Sequence, residues 1–210
     1  MSNVLPKKIV TKNILLGIKK AERDYRVWSG DDWLWRAPEY LLTVYVSKQL
    51  SKLDYNKYIT LENSTKEAIS DAGATGKGKL HSAIRVNGRV DILLWWANGL
   101  PRAVIEIKNG VYGYKKIEKD VSRICQMLNR KSKDSSLQFG VISFYMARHY
   151  EKENPEDMMK KQIKRLLQRS RADSLNLCKV EVEHTDIVVE YKQNSWCCVN
   201  LIFTPIKKQT

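Results

Sequence analysis

Two carboxylates and a lysine lie in a segment whose pattern predicts a β-hairpin. Residues 89–108 contain two apolar runs separated by Asn98-Gly99, a dipeptide that strongly favours a two-residue type I′ turn. Such a turn fixes the register, because paired residue numbers must sum to 197, as 98 and 99 do. Asp91 then lies opposite Glu106. Since side chains alternate along a strand, Asp91, Glu106 and Lys108 share one face and the other face is apolar.

The pairing of Asp91 with Glu106 requires a positive charge nearby. Two carboxylates with Cβ atoms about 5 Å apart repel each other and destabilise the strand pair. A divalent cation would neutralise them, and Mg²⁺ is commonly held by one or two carboxylates together with water and phosphate oxygens. An ion cluster in which Lys108 and Arg89 neutralise the acids accounts for the same residues without a metal. The sequence leaves both interpretations open.

The spacing of these residues resembles the motif of the PD-(D/E)XK nuclease superfamily, which has the restriction-endonuclease-like fold. Asp91 is followed by fourteen residues and then by Glu106-Ile107-Lys108, whereas the proline that usually precedes the aspartate is replaced by Val90. The predicted order helix–strand–strand–strand–helix–strand, over about residues 35–150, also resembles the core of that fold. The resemblance implies a metal-dependent nuclease.

The same resemblance implies roles for individual residues. Mg²⁺, for which Mn²⁺ would substitute, is expected to bind Asp91, Glu106 and the carbonyl of Ile107. Lys108 is expected to position or deprotonate the attacking water and to stabilise developing negative charge. The family often supplies a further acid from the helix before the sheet, and Glu39 is the candidate. Its alternative role is structural, because an acid in the first turn complements the helix dipole.

The overall charge favours a polyanionic partner. Lysine and arginine total 37 against 23 acidic residues, a formal net charge of +14. A field of that sign attracts nucleic acid. The prediction is a DNA endonuclease of restriction, defence, repair or mobile-element type, with DNA favoured over RNA. Because restriction-like enzymes often act as dimers, a homodimer is one expected assembly.

Two groups of basic residues are candidate contacts to nucleic acid. Lys115, Lys119 and Arg123 recur at i, i+4 and i+8 on a predicted helix, where like charges cost stability unless phosphates lie against them. Lys77 and Lys79 lie in a glycine-rich loop that lacks the spacing of a phosphate-binding P-loop. Each group also has an explanation without nucleic acid: the helix residues form a solvated face, and the loop is a solvated connector.

The spacing of apolar residues predicts the helices and strands that position these residues. The whole chain, 1–210, is predicted to form one α/β domain, a central mixed β-sheet flanked by helices with a restriction-endonuclease-like core. The N-terminal helix and the C-terminal helix plus hairpin are elaborations. Helices are predicted at about 13–27, 37–53, 64–71, 114–130 and from Pro155; strands are predicted at about 81–87, 89–96, 102–108, 137–147, 186–191 and 196–203.

The remaining features indicate a cytoplasmic protein that does not contact a membrane. No apolar run approaches the roughly 18–20 residues that cross a bilayer, and no secretory signal is present. The four cysteines form no CxxC pair, and two of them are adjacent, so reduced thiols are expected.

Two other functions remain open. A non-catalytic nucleic-acid-binding module on a nuclease fold would bind without cleaving. An assembly subunit would use its basic surface to meet an acidic protein. The presence of all three motif residues, Asp91, Glu106 and Lys108, favours catalysis over both.

Overall fold

The structure is a computed structural model that describes residues 4–76, 78–131 and 133–206. These residues form an α/β fold with five α-helices and a mixed sheet of seven strands. The helices are α1 (Lys7–Ser29), α2 (Glu39–Ser51), α3 (Thr65–Asp71), α4 (Glu118–Asn129) and α5 (Pro155–Asp173). The strands are β1 (Lys57–Ser64), β2 (Arg89–Trp96), β3 (Pro101–Lys108), β4 (Phe139–His149), β5 (Cys178–His184), β6 (Val188–Glu190) and β7 (Asn194–Pro205). The predicted fold class is therefore confirmed at the level of a mixed sheet flanked by helices.

The sheet has the strand order β1-β2-β3-β4-β7-β5, and β6 pairs with β7. β3 and β4 are parallel, whereas the other pairs are antiparallel. The parallel pair is connected through α4, as parallel neighbours require a crossover. The end of β3 and the start of α4 are consequently close in sequence and in space.

Apolar side chains cover both faces of the sheet. One layer joins α1 and α2 to Ile92, Ile105 and Val141, and the other joins α3, α4 and α5 to Leu93 and Val104. β4 is almost wholly buried, as its uninterrupted apolar sequence predicted. The face of the β2–β3 hairpin that carries Glu106 is therefore also a core face, and its polar residues are enclosed beneath α4.

The hairpin turn differs from the prediction. Gly99 donates its amide to Trp96 O at 3.1 Å, and Trp96 donates to Leu100 O at 2.9 Å, so the loop has three residues. Only Gly99 has a positive φ there, +83°, which fits a type I turn closed by a glycine bulge and excludes type I′. Trp95 therefore pairs with Pro101, and the pairing of Trp96 with Pro101, which the predicted sum of 197 requires, is wrong.

A bulge at Arg102 restores the predicted register. Leu94 pairs with Ala103 and Ile92 with Ile105, so the pairs below the bulge sum to 197 as predicted. The extra loop residue and the extra strand residue cancel. Asp91 and Glu106 are consequently brought to opposed positions.

Several other elements depart from the predictions. The predicted strand at 81–87 is wrong: Ser82–Ile84 forms a 3-10 turn that ends at Arg85, whose φ is +53°. The strand beside β2 is β1, which was not predicted, and β5 was not predicted either. α1 begins six residues earlier than expected and α4 begins at Glu118, after a 3-10 turn at Tyr114–Lys116.

None of the helices in the described ranges has the length and apolarity needed to cross a bilayer. All four cysteines are buried and free, in line with the expectation of reduced thiols.

Candidate active site

The end of the β2–β3 hairpin brings three predicted residues together. Asp91 accepts a hydrogen bond from the amide of Ile107 through Oδ2, at 2.7 Å. Its Oδ2 lies 4.0 Å from Lys108 Nζ. Glu106 lies beneath α4 with only 1% of its surface exposed. The carbonyl of Ile107 accepts a hydrogen bond from Lys108 Nζ at 2.9 Å.

Glu39 joins this group from the first turn of α2. Its Oε1 lies 3.3 Å from Lys108 Nζ, and its Oε2 accepts the amide of Asn109 at 2.9 Å. Asn109 is buried and donates through Nδ2 to the carbonyls of Leu34 and Ala37, both at 2.8 Å. These bonds fasten the segment before α2 to the end of β3. Glu39 therefore lies at the motif, and it does more than complement its own helix dipole.

Two residues of α4 complete the cluster, and sequence analysis did not assign either of them to it. Arg123 forms a close ion pair with Glu106, and its Nη2 lies 3.5 Å from Asp120 Oδ1. Asp120 Oδ2 in turn lies 3.7 Å from Lys108 Nζ. The i, i+3 spacing of Asp120 and Arg123 was visible in the sequence, but the burial of both under the sheet was not. Arg89, the predicted neutralising partner, is exposed, and Arg123 takes that position.

The resulting carboxylate cluster contains Glu39, Asp91, Glu106 and Asp120 around Lys108 and Arg123. When all six groups are ionised, four negative charges face two positive charges, and a formal charge of −2 remains. Glu106 Oε1 is buried without a hydrogen-bond partner. A buried, unpartnered carboxylate oxygen in a negatively charged cluster is a position where a cation would be stabilised.

The pKa shifts follow from burial and charge. Burial raises the pKa of Glu106 to about 8, against the opposing charge of Arg123. Burial also raises the pKa of Asp91 above its ordinary value, although Lys108 opposes this. Burial acts to lower the pKa of Lys108, but its carboxylate neighbours together raise it. Lys108 is therefore a protonated ammonium at neutral pH.

The donor set fits a hard divalent cation in its chemistry. Asp91, Glu106, Glu39 and the Ile107 carbonyl offer only oxygen ligands, which Mg²⁺ and Mn²⁺ prefer. As these side chains stand, the described residues include no group of three or more acidic, histidine or cysteine side chains arranged to hold an ion. The carboxylates are not grouped around an empty position because Lys108 and Arg123 lie among them. Binding of a cation among these carboxylates would require Lys108 to move.

The predicted basic stripe on α4 does not form. Lys115 lies in the 3-10 turn before the helix, and Arg123 is 4% exposed and committed to Glu106. Lys119 is exposed on the first turn of α4. Lys79 is exposed in a loop whose carbonyls at Ala74 and Gly76 bind Arg130, just past the far end of α4. Lys77 lies outside the described residues.

A different basic surface lies around Gly110, which follows Lys108 by two residues. Trp35 and Tyr112 are exposed, with ring centroids 6.5 Å apart, and an arginine packs against each ring. The guanidinium carbons of Arg36 and Arg148 lie 5.1 and 5.3 Å from the Trp35 and Tyr112 centroids. Arg36 also lies 3.5 Å from Asp32 Oδ1. We call these four residues, Trp35, Arg36, Tyr112 and Arg148, the aromatic–arginine rim. Trp35 and Arg36 closely precede Glu39 in the sequence, and all four residues line one pocket.

Comparison of the chain with family models, with curated proteins and with solved structures gives no match in any of the three. The resemblance to PD-(D/E)XK nucleases therefore depends on the motif residues and on their arrangement in the fold.

Proposed function

We propose that this protein is a divalent-cation-dependent nuclease whose active site is the carboxylate cluster at the end of β2 and β3. The observation that carries the proposal is the position of Glu39. The PD-(D/E)XK resemblance implied that an acid from the preceding helix belongs with the motif, and Glu39 lies 3.3 Å from Lys108 across 69 positions of sequence. A role in the helix dipole alone would not require this contact.

The residues of the cluster have complementary tasks. Asp91, Glu106, the Ile107 carbonyl and Glu39 would hold the cation. A bound Mg²⁺ would lower the pKa of a water molecule and neutralise charge on the scissile phosphate. The Lys108 ammonium, charged at neutral pH, orients the attacking water and stabilises negative charge on the phosphate. Arg123 holds Glu106 in place beneath α4, and Asn109 holds the segment that leads to Glu39.

The aromatic–arginine rim supports nucleic acid as the substrate. Exposed rings stack on unpaired bases, and guanidinium groups bind phosphates and stack on rings. Among the described residues, none that lines the pocket of the rim is acidic. Together with the net charge of +14, this surface favours a strand of nucleic acid that passes beside Glu39 toward the cluster. We take DNA as the expected substrate.

One observation favours the alternative of a non-catalytic binding module. Arg123 already neutralises Glu106, so the cluster holds together as an ion network without a metal. That alternative predicts salt-dependent binding without cleavage.

The test is cleavage of supercoiled, linear and single-stranded DNA and of RNA in Mg²⁺, Mn²⁺ or EDTA. The wild type should cut in Mg²⁺ and Mn²⁺ and be inactive in EDTA. Lys108→Met should lower the rate at least a hundredfold, whereas Lys152→Met, which alters an exposed lysine, should leave it unchanged. Equal cleavage by Lys108→Met and wild type would falsify the assignment. Binding of every substrate without cleavage would establish the binding module instead.

A further inference from the structure

A second site lies at the opposite end of the hairpin from the carboxylate cluster. An open cavity of about 720 Å³ is bounded by the β2–β3 turn, the segment that leads into β4 and the end of β7. Asp91 and Trp96 are five residues apart on β2, so the cavity lies about 16 Å from the cluster. Its volume is in the range that holds a small organic ligand.

A buried arginine without an anion lines this cavity. Arg102 is 4% exposed, and its Nε has no hydrogen-bond partner. Within the described ranges, no carboxylate oxygen lies within 4.0 Å of its guanidinium nitrogens; its close neighbours are the rings of Trp96, 4.1 Å away, and Phe139, 5.7 Å away. Burial lowers the pKa of Arg102, as expected for a charge removed from water. A buried charge is costly unless a counter-charge offsets it.

The rest of the lining defines the ligand that would supply this counter-charge. Lys57 and Lys133 also line the cavity, but the Lys57 ammonium already donates to the carbonyls of Leu53 and Ser51, at 2.6 and 3.4 Å, so the anion would bind Arg102. None of the described residues that line the cavity is acidic. A guanidinium binds a phosphate through two parallel N–H bonds, so a phosphate monoester fits Arg102. Most of the exposed lining is apolar, and the indole of Trp96 offers a flat surface. Flat rings stack on indole and guanidinium planes.

We propose that this cavity binds a nucleotide, with its phosphate on Arg102 and its base beside Trp96. The nucleotide is either a free mononucleotide or an unpaired residue of a nucleic-acid strand, because both carry a phosphate and a flat base. The site does not depend on the proposed nuclease chemistry, since no residue of the carboxylate cluster lines it.

The experiment is isothermal titration in EDTA, so that cation binding at the cluster makes no contribution. The ligands are adenosine and cytidine monophosphates, the two nucleosides, inorganic phosphate and a short single-stranded oligonucleotide. The wild type should bind the nucleotides more tightly than either the nucleosides or phosphate. Arg102→Met should weaken this binding at least about tenfold, because a charge-assisted hydrogen bond is lost, whereas Arg85→Met, at an exposed site outside the cavity, should not.

Comparison of the mononucleotides with the oligonucleotide distinguishes a free nucleotide from an unpaired residue of a strand. Tight binding of the mononucleotides identifies a free nucleotide, and binding of the oligonucleotide alone identifies a strand. Trp96→Leu provides a second test if Arg102→Met does not fold: it should weaken nucleotide binding and leave phosphate binding unchanged. The proposal is overturned if neither nucleotide form binds the wild type, if Arg102→Met binds as well as wild type, or if phosphate alone binds as tightly as the nucleotides.

Discussion

Lys108 lies among carboxylates from four different elements, and this environment selects between its two expected roles. A lysine that removes a proton from water must itself be neutral, which requires a lowered pKa. Here the pKa of Lys108 is raised by Asp120, Asp91, Glu39 and Glu106 although burial opposes them. The ammonium form is therefore the resting form. In the proposed nuclease, Lys108 would therefore stabilise charge and orient water, and the proton of the attacking water would leave by another route.

The ion pair between Arg123 and Glu106 has a measurable energetic consequence. Both side chains are almost fully buried, so removal of one partner leaves an uncompensated charge. Above pH 8, where Glu106 is ionised in the folded protein, Arg123→Leu should lower the free energy of unfolding by roughly 3 kcal/mol. The double variant Arg123→Leu/Glu106→Gln should recover much of that loss, because the remaining carboxylate charge is gone. Chemical denaturation of both single variants and the double variant gives the coupling; additive losses would mean that the two residues do not depend on each other.

Glu106 also predicts the pH dependence of stability in the cation-free protein. Its pKa rises from 4.5 to about 8 on folding, so between these values the folded state keeps a proton that the unfolded chain has released. The stabilising contribution is complete below pH 4.5 and is lost as the pH rises toward 8. The free energy of unfolding in EDTA should thus fall across this range, and Glu106→Gln should flatten the fall. Asp91 contributes in the same direction. The control is Glu67→Gln, which alters an exposed glutamate and should keep the wild-type dependence on pH. If the free energy of unfolding of Glu106→Gln fell with pH as steeply as that of the wild type, Glu106 would not be the source of the fall.

At the scale of elements, the contact between α4 and β4 positions the inner half of the cluster. A Cβ on Gly140 would lie 2.4 Å from Ile124 Cγ2, so β4 admits α4 at this distance only because residue 140 is glycine. Gly140→Ala should displace α4, destabilise the protein by about 1–3 kcal/mol and lower cleavage, since Asp120 and Arg123 move with the helix.

Gly113→Ala is the matched control for this variant, because a Cβ there meets nothing within 4 Å. The free energy of unfolding and the rate in Mg²⁺ should be measured for both variants. Wild-type stability and activity in Gly140→Ala would show that α4 can shift without consequence for the site.

Elements with clear start signals or long apolar runs were predicted from the sequence, whereas the two edge strands β1 and β5 were not. The cap and proline at Asn154-Pro155 begin α5 as expected. β1 carries only a short alternation of apolar and polar residues, Ile59-Thr60-Leu61-Glu62, and was not recognised. β5 did carry that alternation, in Cys178, Val180 and Val182, and was overlooked. The hairpin register was correct below the bulge only because the turn and the bulge compensate each other.

The candidate site, like the fold, could be predicted only where it depends on a local pattern. Asp91, Glu106 and Lys108 follow from a local pattern along one hairpin, and the family resemblance added Glu39. Asn109, Asp120 and Arg123 enter through packing between distant elements, and a single sequence gives no signal for such contacts. The exposed Trp35 and Tyr112 were equally beyond prediction, since tryptophan and tyrosine are more often buried than presented on a surface.

At the scale of the whole molecule, the two ends of the hairpin differ in the charge of the residues that they bring together. One end gathers carboxylates beside the aromatic–arginine rim. The other end holds Arg102 in a cavity without an acid among its described lining residues. The two sites share β2 and β3, so both depend on the register that the turn and the bulge produce together. The positive charge of the chain would draw a nucleic acid to the molecule as a whole, and the rim would guide it to the cluster.

The central claim is that the carboxylate cluster hydrolyses nucleic acid with a divalent cation. The most direct test is the single-turnover rate of plasmid DNA cleavage in Mg²⁺ for wild type, Asp91→Asn and Asp186→Asn. Asp91→Asn removes one ligand charge and keeps the shape of the side chain, whereas Asp186 is exposed and distant in sequence from the cluster. We predict cleavage by wild type and Asp186→Asn and at least a hundredfold loss in Asp91→Asn, with all three proteins folded. Cleavage by folded Asp91→Asn at the wild-type rate would contradict the assignment of this cluster as the active site.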